Sequence, residues 1–462
     1  MESIATRVTH EDTRCTSQSA DAEYSTSLNR ALSVSDLIAY GMVYMLPISP
    51  FAMYGIIASV GNGMVPLIYI LSVIAMGFTA RSYQVLSKEF PNAGSAYTYA
   101  RHGIGEAAGF FAGWLLFLDY IISPGLLAII SAAAMNSFVS EIPRWAWILG
   151  FIGIGTFLNL VGVSVTAKTN RVFLVIMMAV LTVFLGEGLY ALYTGKGHGG
   201  LTLSAVYNPH TFTWAAAGGG ILIASLNFLG FDAITTLGEE VRPQQKHLLG
   251  FAGMATLGIM AVLFVVQTWV AADLAPGAHI LSPDTAFYDI SRYAGGNWLF
   301  GLTSIGTALA FGIPCTIVSQ LAIARIIYAM GRDRQLPHVF ARLSTKSRQP
   351  YVANLFVAGV SLVVSLAFQD HLDDLALFQN FGALSAFMLV NMSLIGYFWF
   401  KKGSRNILSH MVLPLVGLAI IVALMSSMRI ATLQMGVTWL ALGLIYFLVM
   451  RFALGRKVAI EV

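Results

Sequence analysis

Two long apolar stretches of this chain are each interrupted near the middle by helix-breaking residues, at matching places in its two halves. The first break runs Tyr40-Gly41-Met42-Val43-Tyr44-Met45-Leu46-Pro47-Ile48-Ser49-Pro50. The second runs from Gly218-Gly219-Gly220 to Asn227-Phe228-Leu229-Gly230-Phe231-Asp232. In hydrocarbon a freed backbone N–H or C=O costs several kcal/mol unless protein or water satisfies it. Paired interruptions in two halves of a membrane chain are therefore the best sequence pointer to a secondary transporter's binding site.

The rest of the chain supplies the membrane. Of its 462 residues 57% are hydrophobic and only 10% are charged, more apolar surface than a soluble core can hide. Runs of about 18 or more apolar residues predict an all-α integral membrane protein with twelve transmembrane helices. These spans fall near 36–60, 66–85, 106–136, 145–165, 171–193, 213–238, 248–272, 297–329, 351–369, 375–400, 411–428 and 434–452. With the N-terminus inside, 22 of the 26 Lys and Arg residues fall in cytoplasmic segments, and Arg144, Lys196, Arg292 and Arg429 fall outside. That bias predicts cytoplasmic N- and C-termini. The net charge of +4 then reflects membrane insertion, and no nucleic-acid partner is expected. Residues 1–32 are polar and lack the apolar core of a signal peptide, so they are expected to form a disordered cytoplasmic tail. A transporter domain is expected over 33–453 and a second cytoplasmic tail over 454–462. The short tails suit a bacterial inner (cytoplasmic) membrane.

Enzyme chemistry finds no support. The nine histidines fall in loops or at span ends, and the cysteines, Cys15 and Cys315, are one in the tail and one in a span. Neither a thiolate metal site nor a disulfide framework follows. No phosphate-binding loop and no nucleophile elbow is present, so no cofactor and no metal are expected. The informative charges lie in the spans, where each carboxylate costs roughly 2.5–3.5 kcal/mol at a helix centre. Asp119 sits mid-span, Asp232 follows the second break, and Glu187 lies in the outer part of span 5. Glu239 and Glu240 close span 6 beside Arg242, where a solvated helix end accounts for them. A deep, unpaired carboxylate either protonates or finds a cation. Asp119 and Asp232 are thus candidates for contact with a substrate or a coupling proton; bonding to backbone N–H groups freed at a break is the structural alternative.

Several motifs, in order, carry a resemblance over about residues 30–455. They are Phe90-Pro91-Asn92-Ala93-Gly94-Ser95-Ala96-Tyr97, Gly113-Trp114 with Leu118-Asp119-Tyr120, and Phe228-Leu229-Gly230-Phe231-Asp232-Ala233. Later come Ala324-Arg325 through Tyr328-Ala329-Met330-Gly331-Arg332-Asp333, and Asn380-Phe381-Gly382-Ala383-Leu384. The chain resembles the amino acid–polyamine–organocation transporters, and among them the bacterial putrescine importers. The resemblance implies a LeuT-type fold of 5+5 inverted repeats with broken helices 1 and 6. Repeat one would span 33–195, repeat two 210–402, and added helices 408–453. It also implies alternating access, with substrate beside the two broken helices and packed against spans 3, 8 and 10, in a monomer or homodimer.

Departures from the family pattern bear on the substrate. Many amino acid transporters of this family hold the substrate's α-carboxylate on a glycine-rich first break; here the positions read Met45-Leu46-Pro47. Proline lacks an N–H, and Met45 and Leu46 crowd the backbone. Carbonyls and carboxylates at the breaks suit an ammonium group, favouring a cationic amine such as putrescine or a related polyamine. Ala52 stands where the putrescine importers carry an aspartate, which keeps an amino acid symporter or exchanger as the alternative. The expected substrate-binding residues are Tyr44, Met45, Leu46, Pro47, Ser49, Asp119, Tyr120, Asn227, Phe228, Leu229, Phe231 and Asp232. Proton-coupled relatives can carry a lysine in span 5, where this chain has Met177, so Asp119, Asp232 or Glu187 would carry a coupled H+. Na+ would instead use carbonyls near the first break and span 8 hydroxyls such as Thr303, Ser304 or Thr307. Trp145, Trp147, Trp214 and Trp298 fit an interfacial belt, while Tyr44, Tyr120, Phe228 and Phe231 could offer ring faces to an ammonium.

Overall fold

A computed structural model describes residues 32–91, 95–161, 163–238, 241–332, 336–344 and 349–453. Residues 1–31 and 454–462 of the expected tails, Glu239, Glu240, and the basic residues Arg334, Lys346 and Arg348 lie outside the described residues, while Leu32, expected in the tail, forms a bridge with Val241. Eleven described helices are long and apolar enough to cross a membrane, and a bent pair makes a twelfth. In the pair, α1 (Val34–Met45) and α2 (Ser49–Val60) meet at 47°, so the first predicted break is a real one. Ser33 starts α1 with a capping box: its hydroxyl accepts the Asp36 N–H while Asp36 accepts the Ser33 N–H. Pro50 stands in the first turn of α2, where its missing N–H removes no helical bond.

Single helices follow as α3 (Val65–Glu89), the short α4 (Ser95–Gly103), α5 (Glu106–Phe138), α6 (Arg144–Val161) and α7 (Val163–Tyr193). The sixth span is α8 (Trp214–Ala224), capped by Thr213, then 3-10 turns at Ser225–Phe228 and Ala233–Leu237. Next come α9 (Leu249–Leu274), the short α10 (Ala286–Gly295) and the eighth span. That span is α11 (Asn297–Ala310) and α12 (Thr316–Arg332) joined by a π turn, Phe311–Cys315, around Pro314. The chain ends with α13 (Tyr351–Phe368), α14 (Leu372–Leu394), α15 (Leu413–Ser426) and α16 (Ile430–Leu448).

Burial ranks these helices. In α5 the spanning window is 89% buried, against 22% and 17% for the last two spans. A helix apolar on every side belongs in a core or a membrane; α5 is enclosed by the bundle, whereas α15 and α16 leave most of their surface outside it. Exposed Phe157, Val175, Val262, Val363 and Val437 form apolar outer surface of the kind a bilayer solvates.

Local departures from the sequence reading have physical causes. The loop expected at 166–170 is helix, and α7 begins eight residues before the span expected at 171, because no glycine or proline stands there to end a turn. The helices α4 and α10 are too short to cross and lie outside the span count. Trp145, Trp214 and Trp298 are exposed at helix ends as an interfacial belt requires, but Trp147 is half-buried and stacks on Phe151. At the face expected to be outside, Arg144 pairs with Asp284 and Asp370, and Arg429 with Asp373 and Asp374. There His198 Nδ1 also lies 2.8 Å from Asp273. Asp273 is fully buried at the end of α9, so this histidine does reach a buried carboxylate, one that the sequence left just past its span.

Candidate functional site

The two breaks confront each other. At the first, the backbone turns at Leu46, whose φ of 54° and ψ of 103° are strained for a side chain with a Cβ. At the second, Gly230 has φ of 119°, and a Cβ there would meet the Tyr44 ring and lie 3.2 Å from Met45 Cγ. The close approach of the two interrupted segments therefore requires glycine on one side.

Neighbouring side chains satisfy the backbone that the breaks set free. Gln267 of α9 donates through Nε2 to the Pro47 carbonyl at 2.9 Å. Asn380 of α14 donates to the Leu222 carbonyl and to Ser225 Oγ. Asp232 Oδ1 accepts the Gly230 N–H at 3.1 Å. Asn227 Nδ2 donates to the Tyr69 hydroxyl. The bonds to Pro47, Leu222 and Gly230 are the protein-side satisfaction that irregular backbone at membrane depth demands, and the Gly230 bond is the structural alternative for Asp232.

Between the breaks lies a cavity of about 90 Å³ lined from α1, α2, α5, α12, α14 and both interrupted segments. That is several times the roughly 10–15 Å³ a cavity needs to admit a single water-sized group, so it has room for a small ligand. Of the twelve expected binding residues, nine line it: Tyr44, Met45, Leu46, Ser49, Asp119, Tyr120, Asn227, Leu229 and Asp232. Among the described residues lining it, the charged ones are Asp119 and Asp232, both buried.

Three expected residues point elsewhere. Phe228 packs on Tyr69 and Phe264, and Phe231 on Tyr83 and Phe387; both are fully enclosed and offer no face to the cavity. The 3-10 turn ends at Phe228, and extended Leu229 and Gly230 with φ of 119° send the two rings into separate aromatic clusters. Pro47 gives its carbonyl to Gln267. Glu187 is half-buried in α7 and does not line the cavity. Neither do Ala52 and Met177, both buried in the core. Thr303, Ser304 and Thr307 donate to carbonyls of their own helix and lie off the cavity; the span 8 hydroxyl that lines it is Ser319.

Among the lining residues that the expected set did not include are Tyr40, Met53, Ser123, Ser319 and Gln379. Gln379 bears directly on Asp119. Its Nε2 donates to Asp119 Oδ1 at 2.8 Å and to Ser123 Oγ at 2.9 Å. An amide in an apolar span, directly before the Asn380 motif, was the available signal. Chemically the site is a pocket that holds two buried carboxyl groups between aromatic and hydroxyl walls.

Comparison with known proteins agrees with this architecture. The amino acid permease family model matches residues 48–458. The low-affinity putrescine importer PlaP of Escherichia coli is 30% identical, covering 91% of this chain and 93% of that one. The branched-chain amino acid permease BcaP of Bacillus subtilis is 25% identical, covering 92% and 94%. The methylthioribose transporter of the same organism is 27% identical, covering 92% and 95%.

Proposed function

The chain belongs to the amino acid permease family, a multi-pass membrane transporter and not an enzyme, and from that premise we propose that it imports a cationic amine, putrescine or a related polyamine. The observation that carries this reading is the cavity's charge: Asp119 and Asp232 line it with no basic residue among the described lining residues. Asp119 or Asp232 neutralises an ammonium group of the substrate. An α-amino acid would bring a third carboxylate into a low-dielectric pocket, where like charges repel strongly. At the first break, Leu46 and Met45 occupy the place where a carboxylate would need bare N–H groups, and Pro47 has none to give. The similarity to the putrescine importer of Escherichia coli supports the same substrate class.

On this reading the remaining binding residues are Tyr44, Met45, Leu46, Ser49, Tyr120, Asn227 and Leu229. Transport proceeds by alternating access, in which the bundle of the broken helices 1 and 6 rocks to expose the site inward, with both termini in the cytoplasm of a bacterial cell. Coupling is to protons, and Asp119 or Asp232 carries them.

The test is uptake of labelled putrescine into proteoliposomes under an imposed pH gradient, with diamines and amino acids as competitors. Saturable uptake driven by the gradient and blocked by diamines alone is expected. Accumulation of an amino acid, with no putrescine uptake, would replace the proposal by the amino acid symporter or exchanger that the similarity to BcaP represents.

A further inference from the structure

The cavity between the breaks is not polar throughout. Along α5 its lining residues Asp119, Tyr120, Ser123, Leu126, Leu127 and Ile130 recur at the spacing of one helix face. Read from the start of the helix, that face changes character. It carries carboxyl and hydroxyl groups as far as Ser123 and hydrocarbon alone beyond it. At about 1.5 Å per residue, Leu126, Leu127 and Ile130 lie about 10–16 Å along the helix axis from Asp119.

Topology gathers the second carboxyl at the same end as the first. α2 belongs to span 1 and α5 is span 3, so the two cross in the same direction. Met53, one turn beyond Ser49 in α2, therefore sits toward the apolar end. Span 6 crosses the opposite way. Asp232 follows Asn227 in it and so lies toward the end from which α5 starts, as does Tyr40, which precedes the first break. Met53, Leu126 and Ile130 are all buried. An ammonium lodged among them would lose its water with no partner to replace it, whereas an alkyl group gains by leaving water.

We propose that the apolar end of the cavity is a tail subsite, and that the protein binds primary monoamines carrying an alkyl tail, with the ammonium at the Asp119 end and the tail among Met53, Leu126, Leu127 and Ile130. A short diamine such as putrescine can keep both ammonium groups at the carboxyl end. A longer one must push its second charge into hydrocarbon. The inference rests on the amine reading above and deepens it by naming a second class of amine.

The experiment is displacement of labelled putrescine from the detergent-solubilised full chain by n-alkylamines, from propylamine to hexylamine, and by the terminal diamines of equal length. Alkylamine affinity is expected to rise about three- to fourfold with each methylene, the gain from burying one CH₂. Hexylamine is expected to bind more tightly than hexane-1,6-diamine. Leu126→Asp puts a carboxyl into the tail subsite and is expected to reverse that order, with retained putrescine binding as the sign that the variant folds. A flat response to alkyl length overturns the proposal, and so does a diamine that binds more tightly than its monoamine at every length; both are read on the wild type. A folded Leu126→Asp protein that still prefers hexylamine also overturns it. Those results leave putrescine bound and the amine reading standing; a wild type that binds amino acids and no amine removes both.

Discussion

Replacing Asp119 with asparagine should weaken amine binding by about ten- to a hundred-fold while leaving the fold almost untouched, because the two effects act on different oxygens. Asp119 Oδ1 accepts from Gln379 at 2.8 Å, and an asparagine carbonyl can accept the same bond. Packing around this buried position does not change, since the two side chains are isosteric. The structural cost is then the difference between a charge-assisted and a neutral hydrogen bond, about 1 kcal/mol. Binding suffers more. With its oxygen held by Gln379, the asparagine must turn its Nδ2 donors toward the place an ammonium would occupy. A charge-assisted contact of about 1.5–3 kcal/mol is lost, and a donor faces a cation, so the effect belongs at the upper end of the range. Titration of purified protein with putrescine, beside thermal unfolding in the same detergent, reads the two effects separately. Unchanged putrescine affinity in a folded Asp119→Asn protein would refute Asp119 as a substrate contact. A large drop in thermal midpoint would refute the hydrogen-bond argument that separates binding from folding.

Three further perturbations address the breaks. Leu46→Gly should relieve about 1–3 kcal/mol of backbone strain and forfeit about as much side-chain burial, leaving the midpoint nearly unchanged; by baring the backbone it should let amino acids compete for uptake, and continued indifference to them would count against the carboxylate-exclusion argument. Gln267→Leu should cost about 1–3 kcal/mol by stranding the Pro47 carbonyl, read as a lower unfolding midpoint, with no change expected in the ratio of amine to amino acid binding. Gly230→Ala places a Cβ against Tyr44 at a φ of 119° and should abolish uptake, either through misfolding visible by gel filtration or by prising the breaks apart; near-normal uptake would mean that the two segments separate more freely than their packing implies.

Much of this protein was legible in one dimension because the bilayer is a one-dimensional filter. Span length follows from 1.5 Å per residue across a fixed thickness, and the helix breaks follow from proline's missing N–H and glycine's freedom. Those rules act on neighbours in sequence, so the spans and both breaks are written in the chain, as is the presence of Asp119 and Asp232 at depth. Which way a side chain faces is another matter, set by the rotation of its helix against partners hundreds of residues away. Phe228 and Phe231 belong to the second break as surely as Asn227 and Leu229 do. Only the rings of Tyr69, Phe264, Tyr83 and Phe387 decide that the two phenylalanines turn from the cavity. Gln379 meets Asp119 across 260 positions, and no local pattern encodes that meeting. Helical periodicity fixes that a residue has a buried face; only packing of α14 on α5, close enough to require Gly382, decides that this buried face carries the partner of the carboxylate.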